Sequence, residues 1–121
     1  RLCKADESPG MGLAVCGFDE LADLPPFDIV INATSAGLDD AALPIPDSVF
    51  APHTLAYDML YGRETPFMAQ ARRSGARVAD GLGMLVEQAA ESFAIWHGKR
   101  PETDAIFAEL ASKGSALHNA D

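Results

Sequence analysis

Three short stretches hold the residue types that could do chemistry. NATSAGL, Asn32 to Leu38, offers an amide, hydroxyls and small side chains. YDMLYG, Tyr57 to Gly62, offers phenols, a carboxylate and a thioether. DGLGMLVEQ, Asp80 to Gln88, offers a carboxylate and two glycines, then the start of a mostly apolar segment ending near a glutamine. Such groups suit close contact with a small polar ligand, because glycines let the backbone turn sharply and let a ligand approach it. Asp58 and Asp80 invite an acid–base reading. Each ends a strand, however, and reads instead as the cap of a turn or of the next helix.

All three stretches need the same setting, the end of a strand where a loop begins. The apolar run Phe27 to Asn32 is bounded by turn residues and predicts a strand buried on both faces. Thr54 to Asp58 predicts the next strand, and Arg77 to Asp80 a last short one. Between them, Thr65-Pro66 marks a helix start, a hydroxyl cap followed by proline at the first helical position. That helix runs to about Ser74 with Gly75 as its C-cap. From about Gly83 to His97 a long helix is apolar around most of its circumference and predicts burial against more than one partner; Gly98 ends it. Pro101 to Leu110 predicts a final amphipathic helix, with Lys113 to Asp121 frayed. Upstream, Gly12 to Cys16 is a strand candidate and Asp19 to Leu24 one or two helical turns capped by Asp19. Asp47 to Phe50 predicts a short turn of helix.

Strands alternating with helices mean a parallel α/β sheet, whose strand-end edge is where small molecules bind. The expected fold is Rossmann-like, a parallel sheet with flanking helices, lacking the opening glycine-rich βαβ unit, since no GxGxxG turn is present.

The bulk properties narrow the function classes. A chain of 121 residues allows one domain. A net charge of -9 argues against nucleic acid as the main partner, because phosphate backbones need a basic face. It leaves room for a phosphate-bearing cofactor held by backbone N–H groups. No apolar run reaches membrane-spanning length and no signal peptide is legible, so no membrane partner and a cytoplasmic setting are expected. Cys3 and Cys16 read as free thiols, and the scattered His53, His97 and His118 suggest no metal site.

The stretches FDIVINATSAGL, YDMLYGRETPF and ADGLGMLVEQAAESFAIWHG, in order and between about Phe27 and Leu110, resemble the C-terminal portion of the shikimate dehydrogenase family. That resemblance implies NADPH-dependent reduction of 3-dehydroshikimate to shikimate, on the route to aromatic amino acids. It implies a two-domain enzyme with its active site between the domains. Residues 1–121 would then be a partial NADP-binding domain, including C-terminal helices at about 83–111. The resemblance places Asn32, Ala33, Thr34, Met59, Gly81 and Met84 along the cofactor. Met59 would lie beside the nicotinamide ring and the Gly81 backbone at its carboxamide. It places Tyr61 on the carboxylate side of the substrate and Gln88 on its hydroxyls. The family's catalytic Lys and Asp have no counterpart, so no catalytic residue is expected on this chain. By itself it should be catalytically silent, poorly stable, and in need of the family's N-terminal domain or a second copy.

Taken without the family, the same residues read more plainly. Asn32 to Ser35 is an ordinary strand-end turn bonding its own backbone. Met59 is a core methionine, Tyr61 a buried ring with a wet hydroxyl, Gly81 a turn glycine and Gln88 a solvated helix residue. Two other functions stay open: a non-catalytic interaction module docking through the long helix, and a quinate-using relative of the same enzyme.

Overall fold

The structure, a computed structural model, describes residues 14–118. Three parallel strands form one sheet: β1 (Ile29–Asn32), β2 (Leu55–Asp58) and β3 (Arg77–Ala79), in that spatial order. Helix α1 (Pro66–Arg73) connects β2 to β3. Helices α2 (Leu82–His97) and α3 (Asp104–His118) follow. Short 3-10 turns lie at Phe18–Asp23, Ala36–Asp39 and Asp47–Val49.

Local chemistry explains the element ends. The Thr65 hydroxyl accepts from the Met68 N–H at 3.3 Å, and Pro66 follows at the first helical position, where its missing N–H costs nothing. Ser74 is the C-cap of α1, and Gly75, one residue later, takes the left-handed conformation (φ 82°). Gly98 ends α2 in the same way, with φ 69°.

The core lies on one face of the sheet. Val30, Ala56 and Val78 are register partners and point to the same side. There they meet Val49, Phe50, Phe67, Met68 and Ala71, with the Phe50 and Phe67 rings edge-on at 5.8 Å. The opposite face of β1 is bare: Ile29 is 58% and Ile31 61% exposed. The expectation of a strand buried on both faces is therefore corrected. An apolar run records that both faces can be buried; the described residues cover only one.

Helix α2 needs a similar correction. Its apolar circumference predicts burial on several sides, yet only Val86 and Ala90 are buried, while Ile95 and Trp96 stand 74% and 77% exposed. Its described cover is α3. The link between them is fastened to the polar side of α2. Arg100 donates to Glu87 at 2.7 Å and also to Glu91, and the Thr103 hydroxyl donates to Glu87 at 2.8 Å. Helix α3 starts at Asp104, not Pro101, and continues to His118 through the segment expected to fray. The strand candidate at Gly12 to Cys16 lies partly outside the described residues. Its described part, 14–16, is exposed and forms no strand, and Cys16 is a free thiol; Cys3 lies outside. The 3-10 turn Phe18–Asp23 takes Gly17, not Asp19, as its N-cap. Among the described residues no helix is long and apolar enough to cross a membrane.

The α2–α3 fastening carries a pH dependence. The Thr103 hydroxyl, and after it the Arg100 guanidinium, hold the Glu87 carboxyl below its ordinary pKa; the Lys113 ammonium does the same for Glu109 within α3. A carboxyl depressed in the folded state adds stability above its unfolded pKa and loses it as pH falls through the folded one. Docking of α3 on α2 should hold at neutral pH and loosen as pH falls below the ordinary carboxylate range. Amide hydrogen exchange at Phe107 checks this; Glu87→Gln should exchange faster already at neutral pH and lose most of the acid dependence.

Candidate functional site

The carboxyl ends of the strands lie side by side. Asn32 is the register partner of Asp58, and Tyr57 of Ala79. The three sequence stretches therefore emerge along one edge, and Asp58 joins two of them. Its side chain is fully buried. One oxygen accepts from the Asn32 amide at 3.1 Å and the Thr65 hydroxyl at 2.6 Å, and the other from the Leu60 N–H at 3.0 Å. The third stretch joins through its backbone: the Gly81 N–H donates to the Leu60 carbonyl at 3.0 Å. Asp80 accepts from the Leu82 N–H at 3.1 Å and so opens α2. Both aspartates cap turns, as their positions at strand ends predict.

Asn32 is buried, and its side chain is committed to the fold. Besides donating to Asp58, it accepts from the Thr34 N–H at 3.1 Å and the Thr34 hydroxyl at 2.8 Å. The plainer reading of this stretch, a turn bonding its own backbone, describes Asn32 well. Ala33 and Thr34 next to it are exposed and present small groups outward.

Gly81 is dictated by packing. A Cβ there would lie 2.1 Å from the Met59 carbonyl oxygen. Only a residue without a side chain lets the turn into α2 seat itself against the loop after β2. Met59 is 41% exposed and is no core methionine; Met84, one helical turn beyond Gly81, is exposed to the same degree. Tyr61 is 49% exposed. Gln88 is exposed and lies four residues after Met84, on the same side of α2. Hydrogen bonds thus bring the stretches of Asn32, Met59 and Gly81 together. Among the described residues neither the Tyr61 nor the Gln88 side chain makes a hydrogen bond; the Gln88 backbone carbonyl accepts from the Ser92 hydroxyl at 2.9 Å.

Two participants escaped the sequence reading. Thr65 was legible as a helix cap, but its bond to Asp58 spans seven residues and no local signal marks it. Arg63, two residues after Tyr61, donates to the Asp40 carboxylate at 3.0 Å and to the Gly37 carbonyl, so it ties the loop after β2 to the loop after β1. An open concavity of about 510 Å³ lies at the edge itself, lined by Tyr57, Ala79, Asp80 and Gly83, and two apolar grooves lie elsewhere. A groove of about 290 Å³ follows β1 and ends at Asn32 and Thr34, and one of about 340 Å³ lies between α2 and α3. Among the described residues no cluster of His, Cys, Asp and Glu could hold a metal ion.

Comparison with known proteins now bears on this edge. The family model of the Shikimate 5'-dehydrogenase C-terminal domain matches residues 81–108. The shikimate dehydrogenase (NADP(+)) of Methylobacillus flagellatus is 63% identical over 95 residues, which is 78% of this chain and 35% of that protein. The chain matches the C-terminal part of the shikimate dehydrogenase family. It spans about a third of the length of the curated relatives it matches. Solved structures agree on the fold. An Ael1 enzyme from Pseudomonas putida superposes with a TM-score of 0.71 at 50% identity, over 77% of this chain and 35% of that one. A shikimate dehydrogenase in complex with NADP+ superposes at 0.65 with 28% identity, over 80% of this chain and 34% of its own. The expected Rossmann-like parallel sheet with flanking helices is the fold these neighbours share.

The two glycines of the DGLG turn should respond oppositely to alanine. Gly81→Ala must displace the Met59 backbone and should cost about 1–3 kcal/mol, as overpacking does. At Gly83 a Cβ would meet only the Phe107 ring at 3.8 Å, an ordinary contact. Gly83→Ala should be neutral or stabilising by up to ~1 kcal/mol, because alanine is the better helix former. Urea unfolding of the two variants checks the contrast.

Proposed function

We propose that this chain is the nicotinamide-side part of an NADP-dependent shikimate dehydrogenase, which interconverts 3-dehydroshikimate and shikimate. The observation that carries this reading is the convergence of the three family stretches on one strand-end edge. Residues 1–121 are, in this proposal, part of its NADP-binding domain with the C-terminal helices attached.

The bound dinucleotide would supply the hydride chemistry. The chain's own residues fit its flat ring. Met59 and Met84 offer soft, polarizable thioethers on either side of Gly81, and Ala33 and Thr34 add small groups that permit close approach. Asn32 acts from within, fixing the turn on which those groups stand. Tyr61 would present its hydroxyl to the carboxylate side of the substrate. Gln88 would donate to one substrate hydroxyl and accept from another, since an amide carries both donors and an acceptor.

Proton transfer belongs, in this reading, to the part of the family outside the match. Asp58 accepts three hydrogen bonds and Asp80 opens a helix, so neither is free for acid–base work. The bare face of β1 and the exposed Ile95 and Trp96 would meet that same part, or a second copy of the chain. A pure docking module would explain those apolar surfaces, but not an exposed Tyr61 and Gln88 beside a glycine turn.

A chimera tests the proposal. The chain alone should show no shikimate-dependent reduction of NADP. Joined to the part of the Methylobacillus flagellatus relative that lies outside the match, it should turn over. Tyr61→Phe and Gln88→Ala in that chimera should each raise KM for shikimate by roughly tenfold, the loss of about one hydrogen bond. Turnover by the chain alone, or a folded but inactive chimera, would contradict the reading.

A further inference from the structure

The loops after β1 and β2 are tied together at both ends. At the near end, Asn32 donates to Asp58 and the Met59 N–H donates to the Asn32 carbonyl at 3.1 Å. In the middle, Gly37 packs so closely that a Cβ would lie 2.6 Å from Leu60 and 3.2 Å from Thr65. At the far end the chain turns through Asp40, the one described non-glycine residue with positive φ, at 54°. Arg63 reaches across there, to the Asp40 carboxylate at 3.0 Å and to the Gly37 carbonyl. One guanidinium thus holds two acceptors, one inside the 3-10 turn Ala36–Asp39 and one on the left-handed residue that ends it.

We propose that Arg63 is a positioning residue, a clamp that fixes the loop carrying Ala33 and Thr34 relative to the loop carrying Met59 and Tyr61. In the functional reading above, on which this assignment of the two loops rests, the clamp sets the cofactor-side groups against the substrate-side hydroxyl. Arginine suits the task because its fork offers several donors in a fixed plane. A lysine can satisfy either acceptor but holds neither angle. The pair is partly solvent-exposed, so its effect is local order and not global stability.

Hydrogen exchange on the full chain tests the clamp. The Leu38 N–H is bonded to Ser35 at 2.9 Å and the Ala41 N–H to Ala36 at 3.0 Å, both inside the clamped loop. In Arg63→Ala these two amides should exchange on the order of tenfold faster, as a locally opened segment does. The Ala69 amide, bonded to Thr65 at 3.0 Å, should keep its rate. Arg63→Lys should fall between the two. Unchanged rates at Leu38 and Ala41 would overturn the clamp, and so would a uniform rise that includes Ala69. A parallel titration with NADP, read at the Thr34 amide, separates the clamp from the functional reading. Severalfold weaker binding in Arg63→Ala supports positioning, and equal binding despite a loosened loop overturns it. A wild-type chain that binds no NADP at millimolar concentration counts against the functional reading, and the exchange rates still decide the clamp.

Discussion

A buried carboxylate holds this structure together where it matters. Asp58 sits at the end of the central strand with no solvent contact, and burying an unpaired charge costs several kcal/mol. The cost is met by three donors, each from a different place: the end of β1, the turn after β2 and the cap of α1. Charge-assisted hydrogen bonds contribute about 1.5–3 kcal/mol each, so the set can offset the burial. Removal of the carboxylate would leave the Asn32 amide and the Thr65 hydroxyl buried and without that acceptor. The arrangement therefore demands that the three segments meet in one geometry, and the loops that follow inherit it.

Close backbone packing extends that geometry to the third strand. Gly81 rests on Met59 with no room for a side chain, and its N–H reaches Leu60, the residue whose own N–H is held by Asp58. Gly37 lies against Leu60 and Thr65 from the other side. One carboxylate and two glycines thus gather three loops into a single ledge. On that ledge Ala33, Thr34, Met59 and Tyr61 expose small, soft or hydroxylic groups, while the Asp58 carboxylate is turned inward. A surface of this kind binds and orients a flat polar ligand more readily than it moves protons, which is why the chemistry proposed here needs residues from beyond the ledge.

Much of this was legible in the sequence because it is local. The Thr65-Pro66 start, the Gly75 and Gly98 stops and the order of strands and helices each depend on a few neighbouring residues. The aspartates at strand ends were legible as caps for the same reason. What escaped depends on distance or on cover. The bonds from Asp58 to Asn32 and from Arg63 to Gly37 each span 26 residues and leave no periodic trace. Burial of Ile29, Ile31, Ile95 and Trp96 could not be read from apolarity, since a pattern states what a face can bury and not whether anything lies over it. The start of α3 shifted from Pro101 to Asp104 because the preceding link is fastened to α2 through Arg100 and Thr103. The three family stretches do meet along one strand-end edge, but Asn32 and Gly81 serve the fold there.

The most direct measurement is an amide chemical-shift map of the chain titrated with NADP. Shifts concentrated at Ala33, Thr34, Met59, Gly81 and Met84 would show that the ledge built on Asp58 is the nicotinamide-side surface. Saturable shifts confined to the groove between α2 and α3, around Leu85, Phe93 and Ile106, with the ledge silent, would contradict that account.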